Sequence, residues 1–297
     1  MKVLIAGWFS FEHMGATAGD LLARDLACEW VEAAGLEYHV AVAPPFTDGI
    51  DWRSADPTVY SHIVFVCGPF GNGPPITGFL DRFRGRPLIG LNLSMLEPLD
   101  AWNPFQRLWA RDSATSALPD ITFASKVASV PVVGVVLVHP QKEYGARAMH
   151  DAAYDYIRQL LDAREVSAIP IDTRLDKNAT GLRTPQEVES VIARMDVVIT
   201  TRLHGLVLSL KHGVPALAID PIAGGAKVLR QAETVGWPAV FTADALEREK
   251  LAAALDYCLT PEARSQARAC SQKAQRDVRA VRQEFVRALR NQNARKG

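Results

Sequence analysis

Short, uninterrupted apolar runs alternate along this chain with longer stretches whose apolar positions recur every three or four residues. In the first half the runs occupy residues 2–6, 38–42, 62–67 and 87–91; after Pro131 the pattern restarts with 132–138, 166–171, 196–200 and 215–219. Runs this short, apolar at nearly every position, read as parallel strands buried on both faces, and the periodic stretches between them read as crossover helices. One such helix is expected over residues 21–34, and another over 206–212 closing at Gly213. Residues 103–127 show neither a clean strand nor a long helical period, which places a boundary close to 129–131. The pattern therefore predicts an α/β fold of two Rossmann-like domains, residues 1–129 and 130–260, followed by a helix in 261–297. At 297 residues the chain is long enough for two ordinary cores.

The last segment changes the picture of charge. The formal net charge is zero, yet residues 262–296 hold ten of the 33 basic side chains and three of the 33 acidic ones, which leaves 23 basic and 30 acidic before them. Ala274, Val278, Val281, Phe285 and Leu289 recur at helical spacing, and Arg276, Arg279, Arg282, Arg287 and Arg290 fill the other faces. A basic amphipathic helix suits an anionic membrane surface carrying a lipid-linked acceptor; packing of its apolar stripe on the enzyme itself is the reading favoured here. No nucleic-acid recognition motif accompanies the charge. Cys28, Cys67, Cys258 and Cys270 lack disulfide-framework or metal-knuckle spacing, as expected in a reducing cytosol. No secretory leader pattern opens the chain. The longest apolar stretch, 130–138, is far below the roughly 20 residues that cross a bilayer. A cytoplasmic protein, soluble or membrane-peripheral, is expected.

Ligands of open parallel sheets sit beyond the carboxyl ends of the strands, so the informative segments are residues 7–20, 67–77 and 200–205. The last delivers Arg202 and His204 to a strand end. A guanidinium offers a fixed fork of donors for phosphate or carboxylate, and an imidazole two residues on exchanges a proton near neutrality. The start of the following helix favours anions. The bland alternative is that Arg202 pairs with a neighbouring acid and His204 caps a helix. His139, at the end of the 132–138 strand, is a further candidate. Gly15 to Gly19 matches neither the dinucleotide fingerprint nor the phosphate-loop pattern.

Thr201-Arg202-Leu203-His204-Gly205, followed by the Gly213-Val214-Pro215 turn, Ala218-Ile219-Asp220 and Lys227, resembles the signature of the polysaccharide pyruvyl transferase family. Gly7-Trp8-Phe9-Ser10-Phe11 and Gly15 to Asp20 are similar to that family's opening glycine loop and Gly-Asp pair, and Arg111-Asp112-Ser113 to its Arg-Asp segment. This chain departs where the family often has an Asn: it has His13 and an inserted-looking Ala16-Thr17-Ala18. It departs again in Cys67-Gly68-Pro69-Phe70-Gly71-Asn72-Gly73. The resemblance implies a glycosyltransferase-B-like arrangement with the active site between the domains, and phosphoenolpyruvate as co-substrate, with no other cofactor and no metal. It makes His204 the proton donor and acceptor, with Arg202 beside it. Donor binding falls to Arg202, Gly205, Lys227 and Arg111. His13, Gly15 and Asp20 would face a carbohydrate acceptor, either lipid-linked or a small metabolite. A nucleotide-sugar glycosyltransferase of the same architecture and a non-catalytic carbohydrate-binding relative remain alternatives.

Overall fold

The computed structural model describes residues 2–139 and 142–293. The chain divides into two compact units, Met1–Ala128 and Ser129–Gly297. In the first unit β1 (Lys2–Ala6), α1 (Ala18–Ala33), β2 (Tyr38–Val40), β3 (Tyr60–Val66), β4 (Pro69–Phe70), α2 (Ile76–Arg82), β5 (Leu88–Met95) and β6 (Arg107–Asp112) follow in order. Every strand pairing is parallel, with β1 between β2 and β3, and β5 between β3 and β6. The short β4 resumes the β3 edge of β5 after a two-residue break, Cys67-Gly68. The spatial order is thus the doubly wound one, in which the chain turns back between β1 and β3.

The second unit repeats this topology. It contains β7 (Val132–Val136), α3 (His150–Asp162), β8 (Ser167–Pro170), α4 (Pro185–Ile192), β9 (Val197–Thr200), α5 (Leu203–Lys211), β10 (Ala216–Asp220), α6 (Lys227–Val235) and β11 (Val240–Thr242). Helices α7 (Arg248–Cys258) and α8 (Pro261–Asn293) complete it. The strands, all parallel, lie in the order β11-β10-β9-β7-β8, so the switch point falls between β7 and β9.

The inner strands of each sheet are buried on both faces, which is why they read as continuous apolar runs, whereas the edge strand β8 is exposed at every residue. Val197 and Ile199 face one core and Val198 the other; Val3 and Ile5 oppose Leu4 and Ala6 in the same way. Side chains of successive strand residues alternate between faces, and two cores per sheet result.

The structure corrects three sequence expectations. Strand β6 lies inside 103–127, where none was expected; it is an edge strand carrying Arg107, Arg111 and Asp112, and Trp109 is exposed. Helix α5 begins at Leu203, three residues earlier than its apolar period indicates, which makes Leu203, His204 and Gly205 its first turn. The stripe of α8 packs on the unit only in its first half: Ala263, Ala267 and Cys270 are buried, whereas Val278, Val281, Phe285 and Leu289 are exposed. Among the described residues no helix is long and apolar enough to cross a membrane.

Candidate functional site

The tips of β7 and β9 are tied by two buried threonines. Thr200 Oγ1 accepts the Arg202 N–H at 2.9 Å and lies 3.0 Å from the Val136 carbonyl, to which it donates. Thr201 Oγ1 accepts the Val138 N–H at 2.9 Å. This clamp sets Arg202 and His139 at the carboxyl ends of adjacent strands, at the switch point of the sheet. Arg202 is the residue preceding α5, and no side chain caps that helix. Its Nη1 donates to Thr173 Oγ1 at 2.9 Å and reaches Asp172 Oδ1 at 3.4 Å. Asp172 follows β8 and is buried, and its carboxylate also accepts N–H groups of Arg174 and Ala179. His139 Nε2 stands 3.5 Å from its other oxygen.

One acid therefore holds two groups that point to chemistry. Burial opposes ionisation of Asp172, but hydrogen bonds from Arg174, Ala179 and His139 and the charge of Arg202 outweigh it and bring its pKa below the usual carboxylate value. For Arg202 burial is the larger influence and pulls its pKa below the ordinary guanidinium value, with Asp172 opposing. Arg202 is thus a desolvated cation that retains guanidinium donors without partners among the described residues, a state that favours an incoming anion. Tyr154 of α3 faces the same group; burial raises its pKa, so its hydroxyl stays neutral.

His204, the second residue of α5, is exposed, and among the described residues no side chain orients its ring. Gly205 has a packing reason to be glycine: a Cβ there would lie 2.1 Å from Thr200 Oγ1 and 3.0 Å from Val136. Its absence lets α5 close on β9, with the first-turn N–H groups beside Arg202. Lys227 opens α6, exposed, with its ammonium 6.0 Å from the Tyr144 ring centroid. It lines a cavity of about 410 Å³ with Leu203, Arg147 and Arg230, among others. Neither Lys227 nor Arg230 has an acidic partner among the described residues. Arg147 donates to the carbonyls of Ala223 and Gly225 and so fixes the turn before Lys227.

Asp220 does not face a ligand. Its buried carboxylate accepts the N–H groups of Ile222, Ala226, Val228 and Leu229, and so occupies the start of α6 from within. The sequence reasoning missed Asp172, Thr173 and Arg147. Asp172 was within reach, since it directly follows the apolar run 166–171, where strand-end residues gather.

Arg111, His13, Gly15 and Asp20 belong to the first unit. Arg111 pairs with Asp120 at 2.8 Å, not with its neighbour Asp112, and donates to Ser94 Oγ at 2.8 Å. Asn92 Nδ2 donates to the same carboxylate. Burial raises the Asp120 pKa, but the bonds from Arg111, Thr122 and Asn92 lower it to about 2. Cys67 and Asn92 both adopt left-handed backbone, at φ 64° and 59°, and meet across β3 and β5. Asp20 is buried as the third-position acid of a capping box with Thr17, which explains its place at the start of α1. His13 and Gly15, at φ 59° and 69°, lie exposed in the preceding turn.

Solved structures similar to this chain include "Spinosyn Rhamnosyltransferase SpnG", at 12% identity over 92% of this chain and 95% of that one, TM-score 0.36. MurG of Acinetobacter baumannii matches at 10% identity over 92% and 94%, TM-score 0.33. UDP-GlcNAc 2-epimerase of Methanocaldococcus jannaschii matches at 10% over 93% and 99%, TM-score 0.32. At these TM-scores the likenesses carry no weight, and the architecture rests on the sheet order of each unit. A search of curated proteins found no match. The profile described as "Polysaccharide pyruvyl transferase" matches residues 18–221, a span that includes Asp20, Arg111, Arg202, His204 and Gly205 and stops short of Lys227. That span exceeds half of the chain, which therefore belongs to the polysaccharide pyruvyl transferase family.

Proposed function

We propose that this protein transfers the enolpyruvyl carbons of phosphoenolpyruvate to two hydroxyls of a carbohydrate, forming a cyclic ketal and releasing phosphate. The observation that carries this reading is the desolvated Arg202 guanidinium, held by Asp172 and Thr173 beside the uncapped start of α5. A small, multiply charged donor needs concentrated cationic donors and little apolar surface. Arg202 supplies a fork for carboxylate or phosphate, and the cavity at Lys227 and Arg230 supplies further charge close to the α5 start. His204 is exposed to solvent where it can deliver a proton to the methylene carbon of the donor. The donor's charges are met by arginine and lysine, so turnover requires no divalent metal. The first unit takes the acceptor, with His13 and Gly15 exposed in the turn before α1.

A nucleotide sugar would need an acid for the ribose, and Asp220 is already committed to the backbone of α6. The test is thermal unfolding with each ligand at millimolar concentration. Phosphoenolpyruvate raises the melting temperature by mass action, less so at high salt, while uridine and guanosine diphosphates do little. Strong stabilisation by a nucleoside diphosphate and none by phosphoenolpyruvate would replace this reading with glycosyl transfer.

A further inference from the structure

The proposed reaction moves two protons by different routes, and this inference rests on that reaction. Ketal formation consumes two acceptor O–H groups. One proton must end on the methylene carbon of the donor and the other on the departing phosphate. One imidazole serving both routes would have to reach the methylene carbon and the phosphate oxygen in turn, whereas two carriers at separate positions divide the routes.

We propose that His139, oriented by Asp172, is that second carrier. It stands at the carboxyl end of β7, next to the β9 end that bears Arg202, and the Thr201 clamp on Val138 fixes the backbone immediately before it. Its Nε2 lies 3.5 Å from Asp172 Oδ2, and Asp172 is itself held by two backbone N–H groups and by Arg202. A carboxylate on one ring nitrogen makes that nitrogen the N–H and leaves the other as a bare acceptor. His139 is half exposed, and its Nδ1 is the nitrogen that would take the proton. His204 lacks any such orienting partner among the described residues.

The steps then balance. His204 gives a proton to the methylene carbon, which leaves C2 electron-poor. The first acceptor oxygen bonds to C2 while its proton passes to Nδ1 of His139. The bond from C2 to the phosphate oxygen breaks with its electron pair on oxygen, and His139 returns its proton to the phosphate. The second acceptor oxygen closes the ring on C2, and its proton restores His204. Asp172 stays ionised throughout; it is a positioning residue for His139 and Arg202 together.

The test combines a spectroscopic and a kinetic readout on the full-length protein. Selective ¹⁵N labelling of the seven histidines, with His139→Gln to assign the signal, reports which ring nitrogen carries the proton in the neutral form. The wild type shows the proton on Nε2 of His139, and Asp172→Asn shifts it towards a mixture of tautomers. His139→Gln lowers kcat for phosphate release by about 10²- to 10⁴-fold, while the melting shift caused by phosphoenolpyruvate stays close to that of the wild type. Asp172→Asn lowers kcat and also weakens the donor, because Arg202 loses its anchor. A tautomer distribution unaffected by Asp172→Asn overturns the pairing, and unchanged kcat in His139→Gln overturns the carrier role. If the wild type consumes no phosphoenolpyruvate with any acceptor, the reaction and the carrier role fall together. The ring-nitrogen measurement still decides whether Asp172 orients His139.

Discussion

Gly205 follows His204 and sits three residues after Arg202, so its role can be separated from theirs by a single methyl group. In Gly205→Ala the added Cβ would approach Thr200 Oγ1 to 2.1 Å, Thr200 Cβ to 2.9 Å and Val136 Cγ1 to 3.0 Å. Thr200 is fully buried, and its hydroxyl already bonds the Arg202 N–H and the Val136 carbonyl, so it cannot rotate away without losing them. Overpacking of this kind costs about 1–3 kcal/mol, and a displaced hydrogen bond about 1 kcal/mol more. Replacing glycine by alanine in a helix returns about 0.5–1 kcal/mol. The net loss is about 2 kcal/mol, equivalent to about 4–8 °C in the melting temperature of a unit of this size. The assay is calorimetric unfolding of the wild type, Gly205→Ala and Gly205→Ala combined with Thr200→Ala. Removing the Thr200 hydroxyl makes room for the methyl, so the double variant should show a favourable coupling of about 1 kcal/mol. If Gly205→Ala melts within about 1 °C of the wild type, α5 does not depend on this contact and the packing argument is wrong.

Other parts of the molecule give equally definite expectations. The Asp120 pKa, held at about 2, lies below that of an unfolded aspartate, so its pairing stabilises the fold fully above about pH 4 and the contribution disappears as pH falls through about 2. Acid titrations of stability should therefore be shallower for Asp120→Asn between those values, and an identical acid limb would contradict the pairing with Arg111. Phe285→Ser, on the exposed half of α8, should change stability by less than about 0.5 kcal/mol. Ala267→Leu, at a fully buried site, should cost about 1–3 kcal/mol. Equal effects of the two in denaturant unfolding would mean that α8 packs along its whole length.

Much of the fold is legible in the sequence because parallel strands buried on both faces leave uninterrupted apolar runs. β6 escapes that signal: it pairs on one edge only, and Arg107, Trp109 and Arg111 alternate with its inward residues. The start of α5 escapes for a different reason. Leu203, His204 and Gly205 precede the helix's apolar period, and with no capping side chain at Arg202 nothing local marks the boundary. For α8, periodicity identifies an apolar stripe but not where its packing ends, because exposed Val278 and buried Cys270 belong to one repeat. At the candidate site the strand-end rule and the Arg-x-His-Gly spacing lead to Arg202 and His204. They do not lead to Asp172 or Arg147, whose roles come from non-local neighbours: Asp172 meets Arg202 across thirty residues and Arg147 meets Ala223 across seventy-six. Asp220 shows the converse, since an acid at a strand end looks available until the α6 backbone is seen to claim it.

The central claim is tested most directly by incubating the protein with ¹³C-labelled phosphoenolpyruvate and a panel of carbohydrate acceptors, with carbon transfer read by mass spectrometry and phosphate release measured alongside. Labelled carbons should appear on one class of carbohydrate in step with phosphate, without added metal. Arg202→Lys should lower the rate because a fork of donors becomes a point charge, and His204→Asn should lower it by about 10²- to 10⁴-fold with donor binding retained. Transfer of sugar from a nucleotide donor with no labelled carbon in any product would contradict the claim, as would full activity in both variants.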